Sequence, residues 1–408
     1  MSTTTTTATL PGILAPLRLN IKPLVVALFI MAAGAYYLAD AVSIKQSALW
    51  VIGILLGVTL YHSSFGFTQA WRVFVSDRRG AGLRAQMFML AFGVLLFFPF
   101  LAQGTLAGQA VNGFVSPPGI SVVLGAFIFG IGMQLGGGCA SGTLFAVGGG
   151  STRMLVTLFF FIVGSILAAL NFSWWSNLPA LAPVSLVKNW GLWPALLANL
   201  AVFAGIAWLT VALEKRRHGR LVSNATGTSR PASLLRGPWP LVWGAVALVL
   251  LNFATLALAG RPWGITSAFA LWGSKGLLAL GADPAQWAYW AKNPAALTAP
   301  VSHDVTSVMD IGLILGALAA AAVAGKFAPI WKIPARSLLG AIVGGIMLGY
   351  GSRLAFGCNI GAYFSGILSG SLHAWLWLPA AFAGSALGVH LRPWFGLQVE
   401  KTPQMTPC

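Results

Sequence analysis

Apolar runs close to the roughly 20 residues that cross a bilayer recur along the chain, separated by short polar or glycine-rich connections. The first follows a Thr-rich stretch with Arg18 and Lys22 and extends to about Ala39. It is long for a signal peptide and lacks a small-residue cleavage site, so it reads as a spanning helix. Nine more runs fall near 47–62, 85–103, 119–136, 153–172, 191–213, 238–259, 304–325, 335–354 and 374–391. The pattern predicts an all-α polytopic membrane protein with about ten transmembrane helices, forming a single integral membrane domain over residues 1–408.

Four apolar segments are too short and too rich in glycine to span: SSFGFTQAW, CASGTLFAVGGG, RPWGITSAFALW and CNIGAYFSGILSG. Each reads as a re-entrant helix or loop that enters the membrane and leaves by the same side. Irregular backbone survives at that depth only where protein or a polar cavity satisfies it, so four such segments predict a central pathway.

Composition agrees with a membrane protein, since 57% of residues are hydrophobic, 8% are charged and the mean hydropathy is +0.82. The net charge of +17 is spread over short loops, which excludes the continuous basic face that nucleic acid requires. The basic residues instead set orientation. With a cytoplasmic N-terminus, Lys45, Lys188, Arg261, Lys275, Lys292 and Arg353 fall outside, and the other 18 of the 24 lysines and arginines fall inside. Both termini are then cytoplasmic, in a bacterial-type inner membrane. The basic stretch 214–237 becomes a cytoplasmic linker.

The two halves on either side of that linker match. Aligned on their cysteines, Gly130 meets Gly349, Gly132 meets Gly351, Gly138 meets Gly357 and Gly142 meets Gly361. Gly66 and Thr68 of one re-entrant segment likewise match Gly264 and Thr266 of another. The chain therefore reads as an internal duplication, 20–190 and 191–392, the second copy including its first helix before the linker. Five spans per copy invert the second relative to the first. Inverted repeats are a transporter architecture with the substrate site near the midplane.

The segments SSFGFTQAWR, GGGCASGT, GRPWGITSAFALWG and RLAFGCNIGAYFSGILSG resemble the motifs of the YeeE/YedE family of membrane proteins, and the resemblance covers nearly all of the chain up to about residue 392. It implies uptake of thiosulfate or a related sulfur or selenium species, with Cys139 and Cys358 as the functional thiols. Some members carry a further cysteine in the first re-entrant segment. Here Ser63 and Ser64 stand nearest that position, which leaves two thiols.

The residues themselves favour an anion. Glycines beside Cys139 and Cys358 expose amide N–H groups, and short helices aim positive ends inward. A neutral thiol is a soft, weak donor suited to a sulfur atom. The expected pathway comprises Cys139 and Cys358, with Gly138, Ser141 and Gly142 in the first copy and Gly357, Asn359 and Gly361 in the second. Gly66, Thr68, Gly264 and Thr266 complete it, and Arg261 and Arg353 are candidates for an anion vestibule. Of the carboxylates only Asp310 lies well inside a span, where a loop amide or an arginine is its expected partner and a coupling site is the alternative.

No cofactor, metal site or catalytic residue is expected. Histidines 62, 303, 373 and 390 lack ligand spacing and suit the membrane interface, as do most of the 17 tryptophans. The GGGS at 148–151 reads as a turn. The alternative to transport is a sulfur-transfer enzyme in which one cysteine carries a persulfide to a cytoplasmic sulfur-carrier or sulfurtransferase protein. Cys408, near the end of a tail without a repeat mate, is expected to be silent.

Overall fold

The computed structural model describes residues 19–222 and 231–400; Cys408 and part of the basic linker lie outside that range. Within it the chain is all-α apart from a hairpin of Thr105–Leu106 and Gln109–Ala110. Ten stretches are long and apolar enough to cross a membrane. Eight follow the sequence reading to within about five residues, whereas Ile44–Asp77 and Ile120–Gly148 run on past 62 and 136 through the short helices that follow.

In chain order the helices are α1 (Ile21–Ala41), α2 (Ile44–Ser63), α3 (Phe67–Asp77), α4 (Ala81–Gln103), α5 (Ile120–Gly136), α6 (Ala140–Gly148) and α7 (Thr152–Leu170). They continue with α8 (Leu192–His218), α9 (Leu241–Ala259), α10 (Thr266–Ala279), α11 (Val305–Val323), α12 (Ala335–Leu354) and α13 (Leu372–Leu391). A π-helical segment, Asn359–Ser365, lies between α12 and α13. The helices α3, α6 and α10 and the π-helical segment occupy the four stretches too short to span.

Helix ends follow local chemistry. Ser43 accepts from the Gln46 amide at 3.1 Å to start α2, and Asp304 accepts from Ser307 at 2.8 Å to start α11. Gly104, Gly137, Gly219 and Gly260 end α4, α5, α8 and α9 in the left-handed region. The C-terminal end of α5 also receives two arginines. Arg153 donates to the carbonyls of Gly136 and Leu135 at 2.6 and 2.7 Å, and Arg392 donates to Gln134 at 2.6 Å. These cations face the negative pole of the helix.

Bare glycine surfaces let the central helices approach backbone to backbone. On α5, a methyl group at Gly125 would lie 2.8 Å from the Gly351 carbonyl oxygen, and one at Gly132 would lie 2.9 Å from that of Gly344 on α12. Gly130 abuts Ala381 and Ser385 of α13, and Gly349 abuts Phe161 and Ser165 of α7. The helices α11 and α2 meet the same way, Gly312 lying against Trp50 and Ile54. The peripheral helices α1 and α8 leave large apolar side chains such as Phe29, Tyr36, Leu197 and Trp208 exposed, as a lipid-facing surface would.

Candidate functional site

Both cysteines cap short helices at the end of a glycine turn. After α5 the chain reverses at Gly137, φ 94°, and Cys139 takes the extended conformation ahead of α6. After α12 it reverses through Phe356 and Gly357, φ 54° and 148°, and Cys358 precedes the π-helical segment. Only glycine adopts φ 148° without strain, which accounts for Gly357. Both thiols are free and buried, 2% and 0% exposed.

The Cys139 sulfur stands 3.4 Å from the Ser141 hydroxyl, and the Cys358 sulfur accepts from the Ile360 amide at 3.4 Å. Cys358 lies within electrostatic range of both Cys139 and Arg353. The Thr68 hydroxyl approaches Cys139 without hydrogen-bond geometry. Thr68 itself is anchored by its carbonyl, which accepts from the Gln134 amide at 3.1 Å, and that amide also donates to Ser385 at 2.7 Å.

Arg353 is buried rather than placed at a mouth. It donates to the Tyr289 hydroxyl at 2.6 Å and to the Thr266 hydroxyl, and its guanidinium carbon lies 5.9 Å from the Tyr289 ring centre. Its Nε has no hydrogen-bond partner, and none of the ion pairs among the described residues includes it. Arg261 is partly buried and donates to the Thr306 hydroxyl at 3.1 Å.

Several buried polar atoms around the thiols have no hydrogen-bond partner among the described residues: the Thr68 hydroxyl, the Gln134 side-chain oxygen Oε1, both side-chain amide atoms of Asn359, the Tyr363 hydroxyl and the Trp377 indole N–H. Such orphans are rare in folded proteins, and a cluster of them marks a place for a polar guest. Tyr363 stacks on Trp377 at 6.0 Å and 9°, with Phe67 and Trp71 edge-on to the same ring at 5.9 and 6.1 Å. A methyl group on Gly361 would meet nothing within 4 Å. The free space therefore lies on the Cys358 side of the turn.

Other sequence candidates lie farther out. Gly66 lines a cavity of about 410 Å³ with Ser63, Ser64, Gln86, Arg79 and Glu400. Gly264 packs on Phe114. The turn at 148–151 is a turn, with Gly150 at φ 93°.

Three expectations are corrected. Trp71 and Trp377 are fully buried rather than interfacial, because α3 and α13 converge on the interior; Trp263, in the re-entrant segment just before α10, is buried as well. His62 and His373 are likewise buried, His373 sharing a 2.6 Å hydrogen bond with Ser371. Asp310, 0% exposed, meets neither an amide nor an arginine among the described residues, where both carboxyl oxygens lack a hydrogen-bond partner. Sequence reasoning missed Gln134, Tyr363 and Trp377, whose apolar surroundings gave no signal.

Comparison with known proteins follows the same outline. A thiosulfate transporter, TsuA, of Spirochaeta thermophila is 27% identical over 337 residues, covering 80% of this chain and 92% of that protein. TsuA of Escherichia coli is 24% identical over 356 residues, 84% of this chain and 92% of the relative. The probable transporter YedE of Escherichia coli is 31% identical over 165 residues, 40% of this chain and 39% of its own length. Residues 62–387, which contain both glycine-cysteine turns, match the family described as Sulphur transport, and the chain is a member of that family.

Proposed function

We propose that the protein takes up thiosulfate, or a closely related small sulfur anion, along a central pathway built around Cys139 and Cys358. The observation that carries this reading is the pair of buried free thiols on matched glycine turns, with a buried arginine in the last turn of the helix that leads into one of them. Arg353 supplies charge, and orphaned hydroxyl and amide groups supply polar contacts. The thiols supply soft donors for a terminal sulfur. A hard oxyanion gains nothing from that last contribution.

The pathway rests on an inverted duplication. The packing contacts support it, because they map onto themselves when the two glycine-cysteine motifs are exchanged. Gly125 against Gly351 becomes Gly344 against Gly132, and Gly130 against Ala381 and Ser385 becomes Gly349 against Phe161 and Ser165. In this arrangement α3 and α6 are re-entrant from the cytoplasmic side, and α10 and the π-helical segment from outside. Thr68 and Thr266 then serve the pathway from matched positions, and the cavity beside Gly66 is its inner mouth. Passage is favoured over sulfur transfer because thiols this deeply buried are out of reach of a cytoplasmic acceptor protein.

Flux into liposomes containing the purified protein tests the reading. Labelled thiosulfate enters wild-type vesicles, and unlabelled sulfate inhibits that uptake poorly. Cys139→Ala and Cys358→Ala each lower the initial rate at least about tenfold, the loss of a contact of roughly 1.4 kcal/mol, while leaving insertion unchanged. Normal flux through the double variant excludes the thiol pathway.

A further inference from the structure

An inside-negative membrane potential opposes the entry of every negative charge, so uptake of a dianion calls for a compensating cation. The helix α11 holds a carboxyl group placed to carry one. Asp310 is completely buried, and neither oxygen has a hydrogen-bond partner among the described residues. An ionised carboxylate left so bare costs far more than the neutral acid.

Its direction on the helix follows from its neighbours. The helix α2 packs on Met309, Gly312, Leu313 and Gly316, and α1 lies on the side of Val308 and Leu315. At about 100° per residue, Asp310 is turned away from both and shares a face with Thr306, Ser307 and Ile314, while Ala317 is met by Gly57 of α2 as well as by α6. Toward one end of that face, Trp272 of α10 donates to Ser307 at 2.8 Å, and Ser267 lies 3.2 Å from Thr306. Toward the other end, Gly148 of α6 abuts Ile314 and Ala317. Asp310 thus lies on the face of α11 between its contacts with α10 and its contact with Gly148 at the end of α6.

Among the described residues, Asp304 at the start of α11 is the charged group that acts on Asp310. From the α10 side, Arg261 and Lys275 act on Asp304 instead, and the Lys275 amine is committed to the carbonyls of Leu297 and Ala299 at 2.7 and 2.6 Å. The helix α6, Ala140–Gly148, carries no titratable side chain. His303, in the turn before α11, is exposed.

We propose that Asp310 is a proton-binding site coupled to passage of the anion, making the protein a proton–anion symporter; this rests on the transport reading above. The carboxylate takes a proton from the side of Asp304 as the anion reaches the thiols, and releases it on the far side after the anion leaves. No bond in the anion changes, and each proton carried cancels one of its negative charges.

Purified protein in liposomes with an entrapped pH dye and labelled external thiosulfate tests the site. In wild type, thiosulfate carries protons inward, and an acid-outside gradient of one pH unit raises accumulation about tenfold for each coupled proton. Asp310→Asn loses both effects, and whatever thiosulfate it still admits enters without protons; Asp310→Glu regains proton entry. Wild-type vesicles that take up thiosulfate without protons, or proton entry retained in Asp310→Asn, overturn the proton site and leave transport standing. Where the Asn variant does not insert, Asp310→Glu decides: a pH dependence of thiosulfate uptake identical to wild type overturns the site, and a shifted one supports it. Vesicles that take up no thiosulfate overturn the transport reading, and the proton site with it.

Discussion

Arg353 brings a positive charge into the interior, and no carboxylate among the described residues meets it. Burying a charge in this way is costly unless something pairs with it, and in the proposed pathway the anion is that partner. A hydrogen bond to a charged group contributes about 1.5–3 kcal/mol. Arg353→Gln, which keeps a donor for Tyr289 and Thr266 but removes the charge, is therefore expected to raise the KM for thiosulfate about 10- to 150-fold. Concentration-dependent flux measures this, and an unchanged KM would assign Arg353 a packing role. The cysteines were legible in the sequence because duplication placed two rare residues in one glycine frame. Gln134 and Tyr363 stand only five residues from the cysteines, yet nothing in the sequence shows their partners, because Gln134 meets Ser385 and Tyr363 meets Trp71 and Trp377 from far along the chain.

Spanning helices are the most legible elements, because a bilayer imposes both a length and an apolar composition on them. The short helices were located but not their type. A nine-residue α-helix follows Cys139, whereas a π-helix follows Cys358, and a glycine-rich run of this length shows no periodicity that separates the two. Nor did the sequence foretell that the chain after α13 returns to α3. Arg72 grips Glu400 with two bonds, of 2.6 and 2.5 Å, and Ser76 donates to the Glu400 carbonyl at 3.0 Å. This latch borders the cavity beside Gly66. Burial pushes the Glu400 carboxyl up, but the Arg72 hydrogen bond and charge outweigh it and hold the carboxyl below its ordinary value of 4.5. With the folded value depressed, the latch contributes fully above about pH 4.5 and is lost as pH falls through the folded value. Glu400→Gln should expose the tail to protease at neutral pH, and wild type should match it only under acid conditions. Equal protection of the two proteins at pH 7 would show that the ion pair does not hold the tail.

At the scale of the molecule, the proposed mechanism depends on the two thiol-bearing turns entering the membrane from opposite sides. That requirement constrains the loops. The hairpin region 104–116 follows α4, the basic stretch 214–237 follows α8, and three spanning helices, α5, α7 and α8, separate them. An odd number of crossings puts the two on opposite faces whatever the absolute orientation. Charge then fixes which face is which, because 104–116 carries no lysine or arginine while the linker carries Lys215, Arg216, Arg217, Arg220, Arg230 and Arg236. Reporters fused within 221–230 are expected to read cytoplasm, and reporters within 104–116 to read outside. The two possible failures mean different things. A swapped pattern would reverse the direction of the pathway and keep the inverted pair, moving the cavity beside Gly66 to the outer face. Reporters on the same side would remove one of the crossings and with it the inversion, and Cys139 and Cys358 would then approach the midplane from one side as parallel rather than opposed thiols.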